Sequence, residues 1–199
     1  MASLYKGPFV VPTFVGDLDV EERVAGAPSG GKVKGMFFSA IADEASAACG
    51  SRVGRARYVP FQGYPLSEWI AFLPEAARAA YPSRHPKEGM RRFGHNAFSV
   101  FNQSMAGRVI LSMAAKNIHA SMSLTSRVFQ AIGSHGELTS PINEPGRAIV
   151  AVRDSWDYID SWYVGIFEGA IRAFGAKGEV RVRVHDRSNA DLEILYSSE

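Results

Sequence analysis

The 199-residue chain predicts an α+β fold, a helical N-terminal two-thirds packed on a small antiparallel sheet with C-terminal β-β-α-β-β order. Three observations carry this reading. Apolar residues recur at a helical period from Lys34 to Ile132, whereas short, turn-bounded segments take over beyond Gly133. Within Trp162–Phe174, the residues Tyr163, Phe167, Ile171 and Phe174 share one helical face, with Gly165 and Gly169 on the neighbouring stripe. From Val180, the run Val-Arg-Val-Arg-Val-His alternates as a half-buried strand does.

Taken in order, residues 1–31 read as an irregular N-terminal extension and 32–199 as a single α+β domain. Asp17 or Asp19 can cap a short helix carrying Val20 and Val24. Phe37, Phe38, Ile41 and Ala45 define a first core helix that stops at Gly50. A basic and aromatic connector, 51–65, leads to a helix capped by Ser67 and bearing Trp69, Phe72, Leu73 and Ala76. Pro74 lies inside that pattern and predicts a kink or restart, because it removes a backbone donor and clashes one turn back. Pro86 at a first-turn position opens a long helix with Phe93, Ala97, Phe101 and Met105 on its apolar stripe. A break is expected near Gly107, and a further helix over Thr125–Ile132.

The β-rich end begins with strands near Gly136–Thr139 and Arg147–Arg153, separated by the turn-forming Ser-Pro-Ile-Asn-Glu-Pro-Gly. The Trp162 helix follows, with Gly175 placed for a left-handed stop. A hairpin of Glu179–His185 and Asp191–Tyr196 ends the chain. Val180, Val182 and Val184 are expected on the core side with Leu192, Ile194 and Tyr196.

Composition narrows the function classes. With 46% hydrophobic and 21% charged residues the chain has the make-up of a soluble globular domain. A formal charge of +2 gives no electrostatic basis for nucleic-acid binding, so no nucleic-acid partner is expected. No apolar stretch approaches the ~20 residues that span a bilayer, and the N-terminus lacks a long apolar signal region, so a cytoplasmic protein is expected. Cys49 alone forms no intrachain disulfide and reads as a buried or half-buried small residue.

The search for chemistry returns little. The five histidines form no metal-ligand pattern, and no nucleophile elbow, phosphate loop or dinucleotide fingerprint is present, so neither a catalytic set nor a metal site is predicted. His85 and His185 read as surface residues and His95 as partly exposed. Asp157 and Asp160 read as charges at the start of the Trp162 helix. Glu168, inside an apolar helix, would be a candidate acid or base if buried alone, and reads more simply as hydrogen-bonded or exposed. The aromatic concentration at Trp156, Tyr158, Trp162, Tyr163 and Phe167 is either a filled core or a ligand pocket. In the second case Phe101, Trp162, Tyr163 and Phe167 are the candidate lining.

Ordered blocks across most of the chain resemble an uncharacterised family of many paralogues largely restricted to myxobacteria. They are Gly16-Asp-Leu-Asp-Val-Glu-Glu-Arg, Val33-Lys-Gly-Met-Phe-Phe-Ser-Ala-Ile, Tyr64-Pro-Leu-Ser-Glu-Trp, Gly89-Met-Arg-Arg-Phe-Gly and Val164-Gly-Ile-Phe-Glu-Gly-Ala. More remotely, the order of elements resembles the heme-nitric-oxide-binding and vinyl-reductase-like domains, which enclose a small ligand. That resemblance implies a heme-ligating histidine after the third long helix, about where His119 stands in Asn117-Ile-His-Ala-Ser-Met. The Tyr-x-Ser-x-Arg signature that grips heme propionates is missing, so heme is not expected and the cofactor is left open. The cysteines of the vinyl-reductase-like branch are not supplied by Cys49 either.

The preferred expectation is a non-enzymatic regulatory or sensory module that binds a small apolar ligand or a partner protein. The alternatives are a self-associating module, such as a homodimer, using the glycine-bearing face of the Trp162 helix or a sheet edge, and an enzyme using Glu168 or His119. An empty apolar cavity of several hundred cubic ångströms would favour the ligand reading and a solid interior the interaction reading.

Overall fold

The computed structural model describes residues 7–113 and 117–197; residues 1–6 of the expected extension lie outside them. Helices α1 (Val20–Gly26), α2 (Gly35–Cys49), α3 (Leu66–Ala80), α4 (Pro86–Gln103), α5 (Met105–Ser112), α6 (Ile118–Met122) and α7 (Thr125–Ile132) come first. Among them a short ribbon pairs β1 (Lys32–Lys34) with β2 (Gly63–Pro65). Strands β3 (Glu137–Glu144) and β4 (Arg147–Arg153), a π-helical turn (Ile159–Tyr163), α8 (Val164–Ala173), β5 (Lys177–Val184) and β6 (Ala190–Ser197) follow. The four long strands make one antiparallel sheet in the order β3-β4-β6-β5. The architecture is α+β, with the predicted β-β-α-β-β order.

The sheet shows the alternation its sequence prescribes. Val150, Val152, Leu192 and Ile194 are fully buried on the face that carries the core, with Val180 and Val182 beside them. On the other face Asp191 lies 2.6 Å from both Arg153 and Arg183, and Glu193 lies 2.9 Å from Arg147. Val184 departs from the expectation. It is 54% exposed, because it pairs with Ala190 at the end of the edge strand where the core has run out. His185 departs in the other direction: its side chain is buried 3.1 Å from Asp191, and burial keeps its pKa below the usual histidine value despite that carboxylate. Cys49 is exposed rather than buried.

Strand β3 runs on through most of the expected turn. Its pairing with β4 shifts register between Thr139 and Ile142, around Ser140-Pro141, and resumes to Glu144, leaving Pro145-Gly146 as the turn. Proline is tolerated there because β3 is an edge strand and the bulge needs no donor from it. The break after α4 comes at Ser104, whose hydroxyl caps α5 by accepting the Gly107 N–H at 3.0 Å. Ser67, by contrast, caps nothing, since α3 starts at Leu66 after Pro65. In the N-terminal segment Asp19 precedes α1 but makes no side-chain cap. Arg23 of α1 is buried and bonded to the carbonyl oxygens of Leu18, Trp156 and Arg187.

Helix α3 is continuous through Pro74, against the expected kink or restart. A proline at this position leaves the Ile70 carbonyl without its helical donor. The Tyr158 hydroxyl, from just before the π turn, donates to that oxygen at 2.8 Å and is itself fully buried. The defect is thereby turned into a tertiary bond between α3 and the start of the α8 region.

The glycines of α8 have a definite task. A Cβ on Gly165 would stand 2.0 Å from the Arg91 carbonyl oxygen, and one on Gly169 would stand 2.4 Å from that of His95. On α4, a Cβ on Gly94 would stand 2.4 Å from the Trp162 carbonyl. The two helices therefore cross backbone to backbone, with glycine contributed by both. This contact also occupies the glycine-bearing face that self-association would have needed. On the β5 edge, Val10 and Val182 are bonded backbone to backbone in both directions, so the N-terminal segment covers part of that edge too.

Two stability measurements check these contacts. Gly165→Ala should destabilise by about 2 kcal/mol or more, overriding the ~1 kcal/mol that alanine gains in a helix interior. A neutral or stabilising result in urea unfolding would refute the close crossing. Tyr158→Phe should cost about 1–3 kcal/mol by orphaning the Ile70 carbonyl. In a Pro74→Ala background, where the helix supplies its own donor, the same change should cost much less, and additive effects would refute the compensation.

Candidate functional site

Two adjoining chambers lie where α8 and its π-helical entry meet the earlier helices. The larger, of ≈ 60 Å³, is bounded by Phe98 of α4, Met122 of α6, Val128 and Phe129 of α7, and Ile166 and Phe167 of α8. Leu138, Tyr163 and Ala170 complete an apolar wall, with the hydroxyls of Ser121 and Thr125 at its margin. The Thr125 hydroxyl donates to the Met122 carbonyl at 2.8 Å. Phe98 also lines an open groove of ≈ 650 Å³ beside Leu111 and Phe174, with whose ring it makes an edge contact at 5.6 Å. It is thus a partition between groove and chamber.

The smaller chamber, of ≈ 20 Å³, shares Phe129, Ile132, Tyr163 and Ile166 with the larger. Its other walls include Phe37, Trp69, Trp162, His135 and Asp157. A buried polar cluster stands here. The Asp157 Oδ1 accepts from the Ser155 hydroxyl at 2.7 Å and from the Tyr163 hydroxyl at 3.1 Å, and Ser155 and Tyr163 are themselves 2.7 Å apart. Asp157 Oδ2 lies 3.4 Å from His135 Nε2, and His135 Nδ1 lies 3.4 Å from the Lys32 carbonyl. Burial opposes the charge on both partners, yet each overcomes it. Asp157 is held below the usual carboxylate range by His135 and two hydroxyls, and His135 is held above the usual imidazole range by Asp157 and the Lys32 carbonyl. Burial and the neighbouring Asp157 charge raise the Tyr163 phenol well above its ordinary value, so it stays protonated as a donor.

Asp157 is therefore the hub of a core network, not a helix-end charge, while Asp160 pairs with Lys87 of α4 at 2.7 Å. Sequence reasoning passed over His135 and Ser155. The one available signal was the polar Ser155-Trp-Asp157 set within an aromatic run, and nothing local links it to His135.

The predicted site residues divide. Tyr163 and Phe167 line the larger chamber, and Tyr163 with Trp162 lines the smaller. Phe101 is buried in the core one turn beyond Phe98, which takes the lining position on α4. His119 borders neither chamber. Its Nδ1 lies 3.3 Å from the Tyr196 hydroxyl, and its carbonyl accepts from Asn143. Glu168 is on the far side of the α4–α8 crossing. It receives Arg91 in two bonds, 2.6 and 2.7 Å, and His95 at 2.6 Å. Burial opposes its charge, but His95 and Arg91 prevail and hold its pKa below the usual glutamate value, which makes it a weak general base. Among the described residues no cluster of three or more histidine, cysteine or acidic side chains could hold a metal, and no helix is long and apolar enough to cross a membrane.

The buried pair fixes a pH response. With its folded-state pKa raised, His135 adds stability at pH values below its unfolded pKa near 6.5 and loses that contribution as pH rises through the folded value. Asp157, lowered, contributes above its unfolded value and loses it as pH falls through the folded one. Urea midpoints should therefore fall as pH rises above about 6.5 in the wild type, and fall less in His135→Gln. Parallel pH profiles for the two proteins would show that the pair is not ionised as described.

Solved structures similar to this chain are H-NOX domains. The S. oneidensis H-NOX domain in its Fe(II)CO state aligns with a TM-score of 0.66 at 16% identity, over 83% of this chain and 99% of that one. The unliganded Fe(II) H-NOX protein of K. algicida aligns at 0.61 and 12% identity, over 83% and 97%. An oxygen-binding H-NOX domain related to soluble guanylate cyclases aligns at 0.60 and 13%, over 82% and 93%. At these identities the likeness is one of fold. The residues present do not fit heme: a ≈ 60 Å³ chamber is far below a porphyrin, His119 faces Tyr196 outside it, and the Tyr163 hydroxyl is held by Ser155 and Asp157. Curated proteins offer no relative in sequence. The profile of one family matches residues 28–196, and on that match the chain belongs to the proteins of unknown function grouped as DUF2378.

Proposed function

We propose that the chain is a sensory or regulatory module on an H-NOX-like fold, its residues 32–199 acting as one domain, and that it responds to a small apolar molecule without using heme. The observation that supports this is the half-open apolar chamber between α7 and α8, lined from α4, α6, α7, β3, the π turn and α8. It is smaller than the several hundred cubic ångströms that would favour a ligand on size alone. An apolar cavity of about 150 Å³ takes up benzene, so a chamber of ≈ 60 Å³ selects a smaller guest or one that displaces a wall. Phe98 is the natural wall to move, because the open groove lies directly behind it. A sensor of this type needs a two-state element, and the short α6 and α7, joined by the 123–124 turn, form the chamber roof without strand pairing of their own. Catalysis is not favoured, since Glu168 is a saturated carboxylate and His119 is spent on Tyr196.

Melting in the presence of small apolar compounds tests the reading. A guest at 100 times its dissociation constant should add about 2.7 kcal/mol, roughly 5–10 °C for a chain of this size. Ala170→Leu, which adds bulk into the chamber, should abolish that shift while keeping the fold. If no compound shifts the wild type and pressurised xenon leaves the Phe167 and Ala170 resonances unmoved, the chamber is not a binding site.

A further inference from the structure

The smaller chamber adds a chemical requirement to the ligand, and the inference from it rests on the reading of the larger chamber as a binding site. Among its lining residues, Trp69 carries a buried indole Nε1 with no hydrogen-bond partner, and the buried His135 Nε2 has only a long 3.4 Å contact with Asp157 Oδ2. Both residues are more than nine-tenths buried. An unsatisfied buried donor is costly, so a small void lined by one orphaned donor and one loosely held ion pair suits a polar occupant. The third polar atom there is Asp157 Oδ2, 3.4 Å from His135 Nε2 and on the opposite oxygen from the Ser155 and Tyr163 bonds. The indole N–H only donates, and the paired His135 also donates, while the carboxylate only accepts.

We propose that the ligand is a small alcohol whose hydrocarbon end fills the apolar chamber and whose hydroxyl enters the polar one, accepting from Trp69 and His135 and donating to Asp157. A hydroxyl has one donor and two acceptor positions, the complement of this set. An oxygen about 2.8 Å from both His135 Nε2 and Asp157 Oδ2 forms a triangle on their 3.4 Å base without moving either. A carboxylate is rejected by the Asp157 charge, and an alkane leaves the Trp69 indole without a partner and the His135–Asp157 contact long. The chambers share a wall in which Ile132 and Ile166 are the half-buried members, and one guest reaches both when these side chains turn aside. The chamber sizes limit the chain to about four carbons at most, since an apolar cavity of about 150 Å³ holds the six of benzene.

Binding of 1-butanol and of 1-chlorobutane, followed by NMR titration of the full chain, tests the assignment. The alcohol should bind about tenfold more tightly, the size of one well-made hydrogen-bond set, and should shift the Trp69 indole proton. In His135→Leu, and in Trp69→Phe should the first variant fail to fold, that preference should drop below about threefold, with 1-chlorobutane affinity kept. Equal binding of the two compounds to the wild type, or an unmoved Trp69 indole, would overturn the alcohol assignment and leave the apolar chamber standing, its polar annex then holding water. Binding of neither would bring down both readings together.

Discussion

The structure depends on the backbone contact between α4 and α8. Without side chains at Gly94, Gly165 and Gly169, the carbonyls of Arg91, His95 and Trp162 occupy the space a Cβ would take. Close approach of this kind fixes position more tightly than interdigitating side chains, because backbone cannot change rotamer. It decides both flanks of the crossing. On one flank Glu168 is brought between Arg91 and His95, one turn apart on α4. On the other, Phe98 and Phe167 are held facing across a chamber that neither fills. The glycines are thus a cause of the cavity as well as of the packing.

Beneath this crossing lies an unusual concentration of buried polarity. Tyr158 repairs the hydrogen bond that Pro74 forfeits, and the carboxylate of the preceding residue, Asp157, gathers Ser155, Tyr163 and His135. The chain enters α8 through a π-helical turn, a geometry common at functional sites. Buried carboxylates are tolerated only when their lone pairs are satisfied, and here one oxygen is fully bonded while the other faces a loosely paired imidazole. The unfinished part of the network adjoins the unfilled part of the core. A ligand reading explains both with one occupant.

The comparison with H-NOX domains separates fold from chemistry. The chain shares their architecture over more than four-fifths of its length, yet its chambers, ≈ 60 and ≈ 20 Å³, are lined by Phe129 and Ile132 of α7 and by aromatic rings and are too small for a large planar cofactor. Architecture survives at such low identity because it rests on the spacing of apolar residues more than on their identities. The occupant depends on a few side chains that can change without disturbing that spacing.

Periodicity made α2, α4, α7, α8 and the hairpin legible, since each needs only its own apolar spacing and a stop such as Gly50 or Gly175, both of which adopt positive φ. The glycine stripe of α8 announced a close neighbour, though not which helix it would be. Tertiary structure alone decided the rest. The straight path through Pro74 required a hydroxyl from Tyr158, 84 positions on. The burial of His135 and the role of Asp157 required a loop after α7 to meet the segment before α8. Local spacing fixes which face of an element is apolar. The identity of the atoms opposite that face is set by chain crossings tens of residues apart, and the candidate site is made of those crossings.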